Sequence, residues 1–231
     1  MDAYEELYAD SKKWINEGWL DYIAPQLYWS IDSTGQPFEP LFNWWNEQNL
    51  KSRHVIPGLY TAGILSHVNR DWLPDEIRDQ VQIVRNASLD TSPGVIHYSM
   101  QAFTASNSES EAMNNMMKEE IYPTLANIPS MPWITSPKPQ KPEVSQSGNS
   151  IDFEYIEGVR LYNIYHNGAE STLIGRHGDV IDDYLIPEDY LDENLCIKSF
   201  NNYRIESDCT MLCVDNLIDN NQGTKGILYL Q

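Results

Sequence analysis

The segment Gly18-Trp-Leu-Asp-Tyr-Ile-Ala-Pro-Gln-Leu-Tyr-Trp29 joins the end of a helix to a strand. Upstream, Leu7, Tyr8, Trp14 and Ile15 recur near helical spacing between Tyr4 and Glu17, and Gly18 is the expected C-cap. Tyr22 to Trp29 is a short apolar run that reads as a strand, and Pro25 is tolerable near a strand end. The same alternation repeats downstream. A helix is predicted over Pro40 to Asn49, with Leu41, Phe42, Trp44 and Trp45 as its apolar stripe packed on the wall of the fold. His54-Val-Ile-Pro-Gly-Leu-Tyr60 is the second strand. Pro74 opens a helix that Ile77, Val81 and Val84 continue at i, i+4 and i+7. Gly94-Val-Ile-His-Tyr-Ser99 is the third strand. Helices alternating with buried-type strands indicate parallel β/α units, and three of them do not complete a sheet or barrel.

Beyond residue 131 the texture changes. Pro132, Pro137, Pro139 and Pro142 favour extended backbone and block helix, and the last of the seven Trp is Trp133. The expected division is a β/α part over 1–135, a proline-rich linker over 136–143 and an all-β part over 144–231. In the last part Ile151 to Ile156 and Leu161 to His166 are apolar at alternate positions, separated by a turn at Gly158. Asn167-Gly168 is a hairpin signal, and Asp179 to Leu185, Asn194 to Phe200 and Ile227 to Leu230 supply further strands. Short strands at this spacing suggest a β-sandwich of immunoglobulin or fibronectin III type.

Composition removes several functions. The 231 residues carry 15 Lys+Arg against 34 Asp+Glu, a net charge of -19. Both parts share it, with 9 basic and 18 acidic side chains in residues 1–140 and 6 and 16 in 141–231. Phosphate-backbone binding needs clustered cations, so no nucleic-acid partner is expected, and an anionic membrane surface is disfavoured. No apolar run is long enough for a membrane span, and the start, MDAYEELYAD, does not read as a signal peptide. At 41% hydrophobic and 11% aromatic the chain can build packed cores. Cys196, Cys209 and Cys213 are too few for a disulfide scaffold or a four-cysteine zinc site; they are either reduced, or Cys196 pairs with one of the others. No metal or other cofactor is expected.

Several stretches, in order, resemble the C-terminal end of glycoside-hydrolase-like family 10, a bacterial cell-wall lipoprotein family. They are Asp10-Ser-Lys-Lys-Trp14, the Gly18–Trp29 segment above, Leu41-Phe-Asn-Trp-Trp45, Gly58-Leu-Tyr60, Glu76-Ile-Arg-Asp-Gln80 with Arg85, Gly94–Ser99, Tyr122-Pro-Thr-Leu125 and Met131-Pro-Trp133. The resemblance covers about residues 4 to 135. It implies that the first part is the last three β/α units of a (β/α)8 barrel, followed by a fibronectin III-like domain. It implies glycan as the ligand, bacterial cell-wall strands among the candidates, and an extracytoplasmic location. A whole barrel takes about 250 residues. The family's earlier segments, including a paired-aspartate motif, have no counterpart in this sequence.

Glycosidic cleavage generally needs two carboxylates, and in a barrel they stand at the C-terminal strand ends. The first strand offers only Asp32, better read as a turn residue; the second offers none; Glu109 and Glu111 lie far into the loop after the third. No catalytic pair is predicted, and the chain alone is expected to be inactive. Aromatic side chains are the better candidates, because sugar rings stack their C–H faces on them. Gln26, Tyr28, Trp29, Tyr60 and Tyr98 fall at or near the strand ends and are the predicted substrate-binding residues. Alternation puts Tyr28 and Trp29 on opposite sides of the strand, so only one of them can face the ligand. His97 is expected to be a buried, hydrogen-bonded histidine. The alternative function is a stand-alone carbohydrate-binding or adaptor module. Either way the unpaired edges of a partial barrel invite self-association.

Overall fold

The structure, a computed structural model, describes residues 3–68, 70–134, 136–166, 172–178 and 183–212. The chain forms two compact units, Met1–Ser136 and Pro137–Gln231.

In the first unit, helix α1 spans Ser11–Glu17 and is shorter than the predicted Tyr4–Glu17. Tyr8 has a φ of 54°, which no right-handed helix accommodates, and the Asp10 side chain accepts from the Lys13 N–H at 3.0 Å and sets the start. Gly18 ends the helix with a φ of 71° and donates its N–H to the carbonyls of Ile15 and Trp14.

The strand stretches form short ladders, β1 (Tyr22–Ile23), β2 (His54–Val55), β3 (Gly58–Leu59) and β4 (Ile96–His97). All pairings are parallel: Tyr22 with His54, Ile23 with Val55, Gly58 with Ile96 and Leu59 with His97. A bridge between Gln26 and Gly58 continues the first pairing. The ladders are shorter than the predicted runs because Pro25 and Pro57 lack an N–H, although their carbonyls still accept from Gly58 and Ile96.

Helix α2 is Phe38–Glu47, α3 Pro74–Asn86, α4 Gln101–Thr104 and α5 Ser108–Met116, with a π-turn over Met117–Ile121. Leu27 and Leu59 share one core with Phe38 and Phe42 of α2, Ile77, Val81 and Val84 of α3, and Ala102, Met113 and Met117. The apolar stripe expected on α2 is corrected here. Phe38 and Phe42, one turn apart, carry the fully buried face, Leu41 and Trp45 are partly buried, and Trp44 is 39% exposed beneath Lys12.

The second unit contains two antiparallel sheets. Strands β5 (Val144–Ser147), β6 (Ser150–Phe153) and β9 (Tyr184–Leu185) make one, in the order β5-β6-β9. Strands β7 (Val159–His166), β8 (Leu173–Gly178), β10 (Leu195–Asn201) and β11 (Thr210–Leu212) make the other, in the order β11-β10-β7-β8. Ile151 of the first sheet shares a core with Tyr162, Ile164, Leu195 and Ile197 of the second. Gly158, at a φ of 79°, turns the chain into β7. The predicted strand at 151–156 ends earlier, at Phe153. Asn167-Gly168, most of Asp179 to Leu185, Cys213 and Ile227 to Leu230 lie outside the described residues. Cys196 and Cys209 are joined by a disulfide, their Cα atoms 5.5 Å apart.

Candidate functional site

Register builds the site. Gln26 pairs with Gly58 and Gly58 with Ile96. Two residues further along each strand, Tyr28, Tyr60 and Tyr98 therefore stand at one level, on one face, at the C-terminal ends of three parallel strands. Their rings form one triangular cluster, each ring nearly parallel to the other two. Centroids are 5.2 Å apart for Tyr28 and Tyr60, 5.4 Å for Tyr28 and Tyr98, and 6.0 Å for Tyr60 and Tyr98, with interplanar angles of 18° to 29°. The alternate residues Leu27 and Leu59 point into the helical core, so core packing anchors the strands while the tyrosines stay on the other face. That face is open: Gln26 is exposed, Ile96 is 42% exposed and Tyr98 is 53% exposed. Burial, then the neighbouring Tyr98 and Tyr60, push the Tyr28 hydroxyl above the usual tyrosine range.

The loops around the stack are tied down by hydrogen bonds. Tyr98 donates its N–H to the Leu59 carbonyl and accepts at its own carbonyl from Ala62. Trp72 stands edge-on to Tyr60 at 6.2 Å. Its ring lies so close over Gly63 that a Cβ there would come within 2.7 Å of it. The Arg70 guanidinium sits 5.1 Å from the Tyr60 ring centre and 5.7 Å from that of Trp72, and Nη1 donates to the Tyr28 carbonyl at 3.0 Å. Arg70 and Trp72 escape a reading of the sequence. They follow the second strand by ten residues or more, and their only signal is a cation and an indole in the loop at a strand's C-terminal end.

The loop after Trp29 is held from α3. Glu76 Oε1 accepts from the Ile31 N–H at 2.8 Å and from Gln80 Nε2 at 2.7 Å, and Gln80 Nε2 also reaches the Trp29 carbonyl at 3.2 Å. Glu76 and Gln80 are one helical turn apart, so a single face of α3 clamps this loop.

Trp29 leaves the tyrosines. It lines a groove of about 430 Å³ with Gln36, Leu41 and Trp45, and Gln26 borders the same groove. Asp32 is exposed in a turn, and Glu109 and Glu111 lie in the first turn of α5. His97 is on the opposite side of the strand from Tyr98, with Nδ1 2.8 Å from Thr61 Oγ1 and Nε2 3.1 Å from the Tyr122 hydroxyl. Burial lowers its pKa to about 4, so it is neutral at pH 7. At the other end of the strands, Asp21 accepts from Trp133 Nε1 at 2.8 Å, which gives it a tethering role. The arrangement can stack a flat apolar face on the tyrosines and offer hydrogen bonds from Gln26 and Arg70.

Comparison with known proteins gives a consistent picture. The family model described as glycosyl hydrolase-like 10 matches residues 1–73. Glycosyl hydrolase YngK of Bacillus subtilis is 32% identical over 145 residues, which is 62% of this chain and 28% of that protein. Glycosyl hydrolase DigH of an Escherichia coli O6:H1 strain is 35% identical over 101 residues, 41% of this chain and 23% of that protein. The chain thus spans about a quarter of the length of these curated relatives.

Proposed function

From the premise that residues 1–73 carry the glycosyl hydrolase-like 10 pattern, we propose that the chain is the C-terminal part of a glycoside hydrolase and contributes glycan-binding surface. The observation that carries this reading is the stack of Tyr28, Tyr60 and Tyr98, level in register at the C-terminal ends of three parallel strands. In parallel β/α folds ligands bind at that end. Strands paired in chain order with helices on one face suit the last three units of a (β/α)8 barrel, whose interior would be the open tyrosine face. The second unit, with its three- and four-stranded antiparallel sheets, suits a fibronectin III-like domain. Bacterial cell-wall glycan, including strands free of peptide, is the substrate class of this reading. The Cys196–Cys209 bridge favours an oxidising, extracytoplasmic location.

In such an enzyme a carboxylic acid protonates the leaving glycosidic oxygen, while a carboxylate acts as nucleophile or activates water. Those two groups are assigned to sequence outside this chain, and the tyrosines orient the sugar. A second reading, a binding or adaptor module without catalysis, rests on the same three tyrosines, which bind a sugar without cleaving it. Titration of the pure chain with N-acetylglucosamine oligosaccharides, followed by NMR, tests the common core. Saturable binding that weakens about two- to tenfold in Tyr28→Ala is expected, since an aromatic contact contributes about 0.5–1.5 kcal/mol. Binding that Tyr28→Ala leaves untouched overturns the site assignment. Release of reducing ends by the pure chain overturns the claim that it lacks the catalytic pair.

A further inference from the structure

We propose that Arg70 is a specificity-determining residue of the tyrosine site and that it selects glycans bearing a carboxylate. The inference rests on the glycan-binding reading above and deepens it by naming the residue that would read the charge of the ligand.

The argument starts from how Arg70 is held. Its guanidinium lies against Tyr60 and Trp72, and one of its five N–H donors is spent on the Tyr28 carbonyl. Two aromatic rings and a main-chain oxygen thus fix the orientation of an exposed side chain that would otherwise sample many rotamers. Among the described residues no carboxylate lies within ion-pair distance of Arg70, although acidic side chains outnumber basic ones 34 to 15. Arg78, by contrast, meets Asp75 and Asp79. A cation in a strongly acidic chain, held in one orientation beside an open aromatic stack and lacking an acidic partner, suits an anion supplied by a ligand. The planar fork matches a carboxylate in two-pronged geometry. A sugar stacked on Tyr60 would bring substituents on its ring edge toward the N–H groups that Arg70 has left. The carboxylate can be a ring carboxylate, as in a uronic acid, or one carried on an ether-linked lactyl group.

The experiment compares four oligosaccharides of equal length on the 231-residue chain by NMR titration. They are a neutral N-acetylglucosamine oligomer, an oligomer carrying lactyl-ether carboxylates, the methyl ester of the latter, and an oligouronate. We expect one of the two carboxylated ligands to bind about three- to tenfold tighter than the neutral oligomer, the size of an exposed charge-assisted contact; which of them does so identifies the source of the carboxylate. The advantage of the lactyl ligand is expected to vanish in its ester. In Arg70→Gln the ratio of charged to neutral affinity falls to about one, whatever the change in neutral binding itself, and Arg70→Lys, which keeps the charge but not the fork, retains only part of the preference. Equal binding of charged and neutral ligands by the unaltered chain overturns the role of Arg70 while leaving the tyrosine site standing. A preference that survives in Arg70→Gln does the same. Failure of every oligosaccharide to bind, or binding indifferent to Tyr28→Ala, overturns the glycan reading and this inference with it.

Discussion

His97 shows how one half-buried side chain gives the fold a pH dependence. Thr61 and the Tyr122 hydroxyl flank its two ring nitrogens, the Phe103 ring stands edge-on at 5.6 Å, and burial lowers its pKa to about 4. An unfolded histidine titrates near 6.5, so the unfolded chain takes up the proton first as pH falls. The contribution of His97 to stability is therefore complete above about pH 6.5 and is lost progressively between about pH 6.5 and 4. Urea unfolding at pH 7 and pH 4.5 should show a larger loss of stability for the unaltered chain than for His97→Gln. Equal losses would mean that His97 does not titrate in this range. Gly63 makes a steric counterpart. A methyl group there meets the face of Trp72, so Gly63→Ala should shift Trp72 off Tyr60, with a changed tryptophan emission maximum and weaker glycan binding. An unchanged spectrum and affinity would show that the loop yields without cost.

At the scale of elements, α3 does two jobs. Its apolar residues Ile77, Val81 and Val84 enter the core, and its Glu76 and Gln80 hold the loop that follows Trp29. Removing the carboxylate leaves the part-buried Ile31 N–H without its acceptor, so Glu76→Ala should cost about 1–3 kcal/mol in urea unfolding. Glu76→Gln, which retains an oxygen, should cost less. A Glu76→Ala chain as stable as the unaltered one would show that the clamp contributes nothing. The core-facing half of this helix is visible in the sequence, because Pro74 marks the start and the apolar spacing marks the buried face. The clamp is not visible, since its acceptor and donors come from residues 45 and 51 positions apart. Helix α5 escapes for another reason. Its apolar residues are few, and Asn107, accepting from the Ser110 N–H, marks its start more strongly than any periodicity.

On the scale of the molecule, the first unit leaves hydrogen-bonding capacity and apolar surface unused. Among the described residues neither outer edge of the parallel strands pairs with another strand, and Ile96 and Tyr98 are each about half exposed on the open face. Strand edges of this kind invite pairing with another chain. Light scattering across a range of concentrations should detect association, and a charge substitution on the open face, Ile96→Lys, should reduce it. A strictly monomeric chain at all concentrations would rule this out. Among the described residues, no helix is long and apolar enough to cross a membrane.

Local chemistry in the sequence was enough to determine the alternation of helix and strand, the glycine stop at residue 18, the change to short strands after the prolines, and a set of aromatic candidates at strand ends. Each of these depends on residues a few positions apart, where spacing and backbone preference speak directly. Which candidates act together depended on register. Pairing Gln26 with Gly58 and Gly58 with Ile96 stacks Tyr28, Tyr60 and Tyr98, while Trp29, one residue on, turns to Gln36 and Trp45. Arg70 and Trp72 join the stack because the loop after the second strand folds back over it, a contact between residues 42 positions apart in the case of Arg70 and Tyr28. Cys196 found Cys209 for the same reason, with β10 and β11 laid side by side. Local preference acts along the chain, but a binding surface is made of contacts across it, and only the folded backbone brings those residues within reach.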